Sequence, residues 1–482
     1  QASDRPAGRY MDGQLTYDYD CVNMTDLLKA LPGKLAKPLL RLFGYGSAGV
    51  VLTLVVVFVL YLESRPDLEP WHTADLDLEF TTGSALASFQ EYLVLEDRLF
   101  RQLDEEVYRE VSGRGRPLRE ESNNRYRQGS DADPRRWDRN WNRSFEFASK
   151  GQPVLLLHGL SDSPYSMRTL GQSLHAAGAH VLGLRIPGHG TAPSGLLTEH
   201  WQDMAAAVRL AAEHLSAQHP GQPLAIVGYS NGAALAVQYA LATIGQPQLP
   251  PVGRLVLLSP EIGVTPAAAL AVWQARLGLL MGLDKLAWNE ILPEYDPFKY
   301  GSFAVNAADL SHRITVEIQR RIDELARPDR IAGMPPILAF SSAVDATVLP
   351  LALVENLFER LPPGGHELVI YDINQIAGIQ TLLSWSPEPM VTALRRQAGQ
   401  NYALSLVTNL RPGTSAVVER RWLPGLDEAV ENDLDSGWPP DVFSLSHVAL
   451  PFPPGDPLYG GRPDAPSPGI HLGDLALRGE RG

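Results

Sequence analysis

From residue 144 onward the chain repeats one unit, a short apolar run followed by a stretch of helical length, and this rhythm restricts the possible folds more than any other feature. The runs are 153–157 (PVLLL), 180–184 (HVLGL), 224–227 (LAIV), 254–258 (RLVLL), 336–340 (PILAF) and 367–371 (ELVIY). Between them, 167–177, 201–218, 232–243 and 351–361 have helical length. Strands that are apolar throughout are buried on both faces, which predicts an α/β fold with a mainly parallel, doubly wound sheet. Two places break the rhythm: 261–332 between two strands, and 374–441 after the last. Both are expected as excursions around the ligand crevice at the strand ends. At 482 residues and 44% hydrophobic, the chain has material for one large domain with insertions.

Ahead of this domain, residues 42–62 carry no charge and reach the roughly 20 residues a bilayer-spanning helix needs. A cleaved signal peptide fits less well. Its apolar core is usually about 7–15 residues before a small-residue site, whereas Leu62 leads into Glu63, Ser64, Arg65, Pro66 and Asp67. Lys29, Lys34, Lys37 and Arg41 precede the span, and Glu63, Asp67, Glu69, Asp75 and Asp77 follow it. The positive side stays in the cytoplasm, so the body of the protein is expected across the membrane, in the periplasm of a bacterial cell. The expected organisation is a cytoplasmic segment 1–41, a transmembrane helix 42–62, an N-terminal extension 63–142 and a main domain 143–482. Within the main domain a helical cap insertion is expected over 261–332 and a second insertion over 376–441. An amphipathic helix is expected over 89–111, packed on the main domain. Translation starting at Met24 would leave Cys21 outside the natural product.

A net charge of −14, with no concentrated basic face, argues against nucleic acid as a partner. Cys21 is the single cysteine, so neither an internal disulfide nor a cysteine-rich zinc site can form, and any metal would need His and carboxylates.

Gly228-Tyr229-Ser230-Asn231-Gly232 follows the apolar run 224–227 and opens a helix. That context puts Ser230 on a sharp strand-to-helix turn, where small neighbours let the backbones approach. The turn makes Ser230 a candidate nucleophile, with the Asn231 amide as one oxyanion donor. His158-Gly159-Leu160 follows the run 153–157 and offers the Leu160 amide as the other. His158 and His189 read as structural residues of their loops.

The segments HGLSDSPYSMRTLGQSL, LRIPGHGTAPSGL and GYSNGAALA resemble the α/β-hydrolase superfamily, and within it bacterial monoacylglycerol lipases and carboxylesterases, over about 153–447. The resemblance implies the order nucleophile, acid, histidine along the chain. Asp345 ends the strand region 336–345 and is the expected acid, with Asp372 at the end of the next strand as its rival. His447 is the expected base, since His366 precedes a strand start, at the wrong edge of the sheet from Ser230. The long gap between Asp345 and His447 departs from the family pattern. The implied activity is hydrolysis of carboxylic esters by an acyl-enzyme, with no cofactor and with the apolar stretches 267–273 and 277–281 as a lid. The same groups would serve a peptidase or an acyltransferase, and a membrane-tethered binding protein without turnover is the non-enzymatic alternative.

Overall fold

The computed structural model describes residues 33–113, 123–263, 283–326, 330–345, 348–375, 392–394, 401–426, 428–439, 442–447 and 449–473. The chain divides into two compact units, 1–65 and 66–482. In the first, helix α1 (Gly33–Ser64) carries the uncharged run. Its part Arg41–Ser64 has 24 residues, none buried within the protein. At 1.5 Å per residue it is about 36 Å long, enough to cross a hydrocarbon layer of about 30 Å. By length and composition it is a candidate membrane anchor.

The second unit is built on strands β1 (Phe145–Phe147), β2 (Pro153–Leu157), β3 (His180–Leu184), β4 (Leu224–Tyr229), β5 (Val252–Leu258), β6 (Trp288–Glu290), β7 (Phe303–Ala304), β8 (Ile337–Ser342), β9 (His366–Tyr371), β10 (Tyr402–Asn409), β11 (Ala416–Trp422) and β12 (Val430–Gly437). All but β6 and β7 join one sheet in the order β1-β3-β2-β4-β5-β8-β9-β10-β11-β12. From β3 to β10 every neighbouring pair is parallel, while β1, β11 and β12 pair antiparallel at the two ends. The helices used below are α2 (Phe89–Leu103), α3 (Arg168–Ala176), α4 (Trp201–Gln218), α5 (Asn231–Gly245), α6 (Val305–Ala326) and α7 (Pro350–Asn356).

Alternate residues of each strand enter different layers, as the two-residue period of a strand requires. Leu155 and Leu157 pack with Met204 and Val208 of α4 and Leu235 of α5. Val154 and Leu156 face the other way, into a layer made with Trp137, Trp141, Tyr165, Met167 and, from near the end of the chain, Leu458 and Leu472. The sheet is therefore covered on both sides around β2 and β4, which explains why those strands read as continuous apolar runs.

Three regions differ from expectation or refine it. The expected cap 261–332 contains α6, which places Ala307, Leu310, Ile314, Ile318, Ile322 and Leu325 in the main core. Spacings of three and four residues put these on one helical face, which packs chiefly against α5, so this part of the expected cap belongs to the main core. The stretches 267–273 and 277–281, expected as a lid, lie outside the described residues. The expected insertion 376–441 continues the sheet over its described part: β10 extends the parallel array and β11 and β12 turn back on it. That described part is therefore an added sheet edge. The extension 63–142 contributes Phe80, Phe89 and Tyr92 to the main core. Arg185, just past β3, fastens it: its guanidinium donates to Glu79 at 2.8 and 3.0 Å and to Glu96 at 3.2 Å. Burying that charge is tolerable because both carboxylates are there to pair it.

Candidate active site

The turn between β4 and α5 sets the site. Ser230 has φ 54° and ψ −118°, a conformation that residues with a side chain rarely adopt and that presents the hydroxyl at the carboxyl edge of the sheet. Its neighbours must be glycine. A Cβ on Gly228 would fall 2.5 Å from both Ala233 Cα and the Gly232 carbonyl oxygen, and one on Gly232 would fall 2.4 Å from the carbonyl oxygens of Leu157 and His158. The turn is held by the Ser230 N–H donating to Leu258 O at 2.9 Å, and by Ser230 O accepting from the N–H groups of Ala233 at 3.0 Å and Glu261 at 3.2 Å.

His447 comes to this turn from the far side of the sheet extension. Its Nε2 lies 3.0 Å from Ser230 Oγ and its Nδ1 lies 2.9 Å from Asp345 Oδ2. A carboxylate can only accept, so Nδ1 carries the proton and Nε2 turns its lone pair to the serine hydroxyl. The other Asp345 oxygen, Oδ1, accepts from the Val348 N–H at 2.8 Å, which fixes the carboxylate plane. The ring of Tyr229 lies beside the imidazole, with centroids 5.5 Å apart. All three residues are buried, so their mutual attractions act in a low-dielectric setting.

The structure thus brings Ser230, Asp345 and His447 within hydrogen-bond reach and leaves the rival residues elsewhere. Asp372 spends its carboxylate on the Ile373 N–H at 2.8 Å, the Thr408 hydroxyl at 2.8 Å and Gln375 Nε2 at 3.2 Å. His366 opens β9, at the opposite edge of the sheet, and its Nδ1 accepts from the Ile337 N–H at 3.2 Å.

Leu160 follows β2 and Asn231 is the first residue of α5, so both amides lie at the same strand edge as Ser230. Among the described residues no acceptor is bonded to either amide. His158 shapes the loop that carries Leu160. Its Nε2 accepts from the Ile186 N–H at 3.1 Å, which leaves the proton on Nδ1 to be donated to Gly159 O at 2.9 Å. Burial, with His189 close by, holds the imidazole well below its usual range and keeps it in that neutral form. His189 is held down to about 4, again by burial. Neither is within reach of Ser230, in keeping with loop-building roles.

Sequence reasoning passed over two residues at the site. Glu261 binds the Ser230 carbonyl through its own N–H, and burial pushes its carboxyl above the usual range. Its position just beyond β5, the neighbour of the nucleophile strand, was the available signal. Asn374, just beyond β9, bonds the loop that leads to His447, and nothing in its local sequence marks it. Among the described residues no group of three or more His, Cys, Asp or Glu side chains is arranged to hold a metal ion.

Residues 149–373 match the family described as serine aminopeptidase, S33. That stretch runs from just before β2 to just beyond β9, so it includes Ser230 and Asp345 and stops short of His447. No curated protein matches the chain. Among solved structures it is similar to one from the metagenome-derived lipolytic enzymes LipS and LipT, at 20% identity over 53% of this chain and 98% of that one, with a TM-score of 0.37. It is similar also to the monoacylglycerol lipase of Paleococcus ferrophilus, at 18% identity over 47% and 89% of the two chains, with a TM-score of 0.35. A soluble variant of monoglyceride lipase from Saccharomyces cerevisiae gives 16% identity over 48% and 81%, and a TM-score of 0.35. A parallel sheet wound on both sides, a serine on the strained turn between strand and helix, and the family match over that same stretch lead to one conclusion: this part of the chain has the α/β-hydrolase fold.

Proposed function

We propose that this hydrolase cleaves carboxylic esters through an acyl-enzyme, with Ser230 as nucleophile, His447 as general base and acid, and Asp345 as the carboxylate that orients it. The observation that carries the reading is the imidazole of His447, hydrogen-bonded on one side to Ser230 Oγ at 3.0 Å and on the other to Asp345 Oδ2 at 2.9 Å. Nε2 takes the hydroxyl proton as Oγ attacks the ester carbonyl. Asp345 stabilises the imidazolium so formed without taking its proton. Negative charge then develops on the carbonyl oxygen, where the amides of Leu160 and Asn231 receive it; each such donor is worth about 10²–10³ in turnover in comparable sites. The imidazolium returns the proton to the departing alkoxide, and a water activated by the same nitrogen releases the acid.

The lipolytic enzymes and monoglyceride lipases named above support esters of fatty or shorter acids as the substrate class. Helix α1 serves as a single-pass anchor in this reading, with the N-terminus cytoplasmic and the hydrolase unit across the membrane. The family description favours one second reading, cleavage of an aminoacyl amide by the same groups.

The test is turnover of Ser230→Ala and His447→Ala on a short-chain aryl ester, with fluorophosphonate labelling of each and circular dichroism as the folding control. Both variants are expected to be folded and to lose nearly all turnover, because members of such a triad act as a unit. Activity retained in either refutes the assignment. A panel of esters, aminoacyl amides and alcohol acceptors separates hydrolysis of esters from the peptidase and transferase readings.

A further inference from the structure

The histidine reaches its place by an unusual route. After β9 the chain adds β10, β11 and β12 before it returns, through 442–447, to the edge beside Ser230. Residues 442–447 pair with no strand. Among the described residues, the hydrogen bonds tying this segment to distant parts of the domain are those of the His447 ring and those made by Asn374.

Asn374 is built for the task. Its backbone N–H donates to Phe443 O at 2.7 Å, and its side-chain Nδ2 donates to Val442 O at 2.8 Å, so two successive carbonyls of the returning loop are gripped by one residue. The grip is itself braced. Asn374 Oδ1 accepts from Asn409 Nδ2 at 3.1 Å, and that same Nδ2 donates to Thr414 O at 2.6 Å. Asn409 Oδ1 accepts from the Gln375 N–H at 2.9 Å, so the asparagine pair spans the ends of β9 and β10. Both side chains are buried, where an amide keeps its bonds because it has no water to exchange them with.

We propose that Asn374 is a positioning residue for His447: by clamping the peptide carbonyls of 442 and 443 to the end of β9, it sets the imidazole at hydrogen-bond distance from Ser230. This rests on the proposed role of His447. A base held by a loop is only as well placed as the loop, and a displacement of about 1 Å at a reacting group can cost about 10² in rate.

The test measures kcat and KM of Asn374→Asp and Asn374→Ala on the aryl ester in the full chain, normalised to sites titrated by a fluorophosphonate. Asn374→Asp keeps shape and backbone bond but sets an oxygen against Val442 O. Both variants are expected to lose about 10- to 100-fold in kcat with KM within about twofold, and to be acylated more slowly by the same factor. Asn409→Ala, which removes only the brace, is expected to lose about three- to tenfold and decides the matter if the position-374 variants fail to fold. Wild-type kcat per titrated site in the folded variants, whatever their melting temperature, overturns the proposal, since a merely structural residue would change only the folded fraction. His447→Ala run alongside separates the two ideas: if it stays active, the triad reading fails, whereas an inactive His447→Ala beside unaffected Asn374 variants refutes the clamp alone.

Discussion

An alanine at position 232 adds one carbon where two pieces of backbone meet with no room for it. Its Cβ would stand 2.4 Å from the carbonyl oxygens of both Leu157 and His158 and 2.6 Å from the Leu157 carbonyl carbon, all backbone atoms that no side-chain rotation can move aside. Close carbon-to-oxygen contacts in proteins settle at about 3.3–3.6 Å, so the first turn of α5 and the end of β2 must part by about 1 Å. Those two pieces of backbone carry the amides of Asn231 and Leu160. Separating them by that distance should cost about 10² in kcat, together with about 1–3 kcal/mol of stability from overpacking. Gly245, at the other end of the same helix, is the matched control, since a Cβ there meets only Arg321 Nη2, at 3.4 Å. Gly245→Ala should leave kcat unchanged and raise stability by up to about 1 kcal/mol, the helix preference of alanine over glycine. The assay is kcat on a short-chain aryl ester per fluorophosphonate-titrated site, with urea unfolding of each variant. A Gly232→Ala enzyme with wild-type kcat would show that the two amides do not act together, and the oxyanion assignment would fall.

Two more outcomes are expected. Deleting residues 1–65 removes one compact unit whole and should move the protein from the membrane pellet to the soluble fraction with ester turnover retained; sedimentation of the truncated chain with membranes would refute α1 as the sole anchor. Burial holds the imidazoles of His189 and His72 down to about 4 in the folded protein, against about 6.5 when unfolded. The unfolded chain therefore binds more protons between these values, and the stability the two confer is full above about pH 6.5 and lost as the pH falls towards 4. Each should cost about 2–3 kcal/mol by pH 4.5, and a urea midpoint unchanged between pH 7 and 4.5 would contradict this.

The strands that surround Ser230 were legible because a strand buried on both faces has nothing but apolar residues to show, as in PVLLL and LAIV. The turn at Ser230 was legible for a steric reason that glycines at 228 and 232 announce. β12 was not, since VENDLDSG is exposed at every position and carries no pattern that burial could impress on it. β10 has the composition of a strand, yet it lay in a stretch read as an interruption after the last expected strand. α6 was assigned to the cap because the sequence shows that 305–326 has an apolar face without showing what that face meets. The clamp on Glu79 and Glu96 by Arg185, and that on 442–443 by Asn374, join residues far apart in the chain, and such pairs have no local signature. His447 could be chosen because it lies in a loop beyond the last expected strand, where the resemblance places the histidine. The distance it spans became intelligible once 402–437, over the described residues, proved to add three strands to the sheet.

A sheet that grows by three strands must also stop growing. Every strand at an edge offers a row of free amide and carbonyl groups to any other extended chain, including an identical neighbour. At one end the answer is brevity: β1 has three residues, too few to template a partner. At the other, β12 is eight residues long, and a bulge breaks its register where Val417 faces Ser436 but Val418 faces Asp433. The kink falls at Asp435, whose φ is 48°. Glu431, Asp433 and Asp435 line the same strand, so a second copy arriving edge to edge would meet both a twisted register and its own negative charge. Amyloid-like stacking of this domain is thus opposed at both margins by different means, and exchanging those three acids for threonine would remove the charge barrier at one of them.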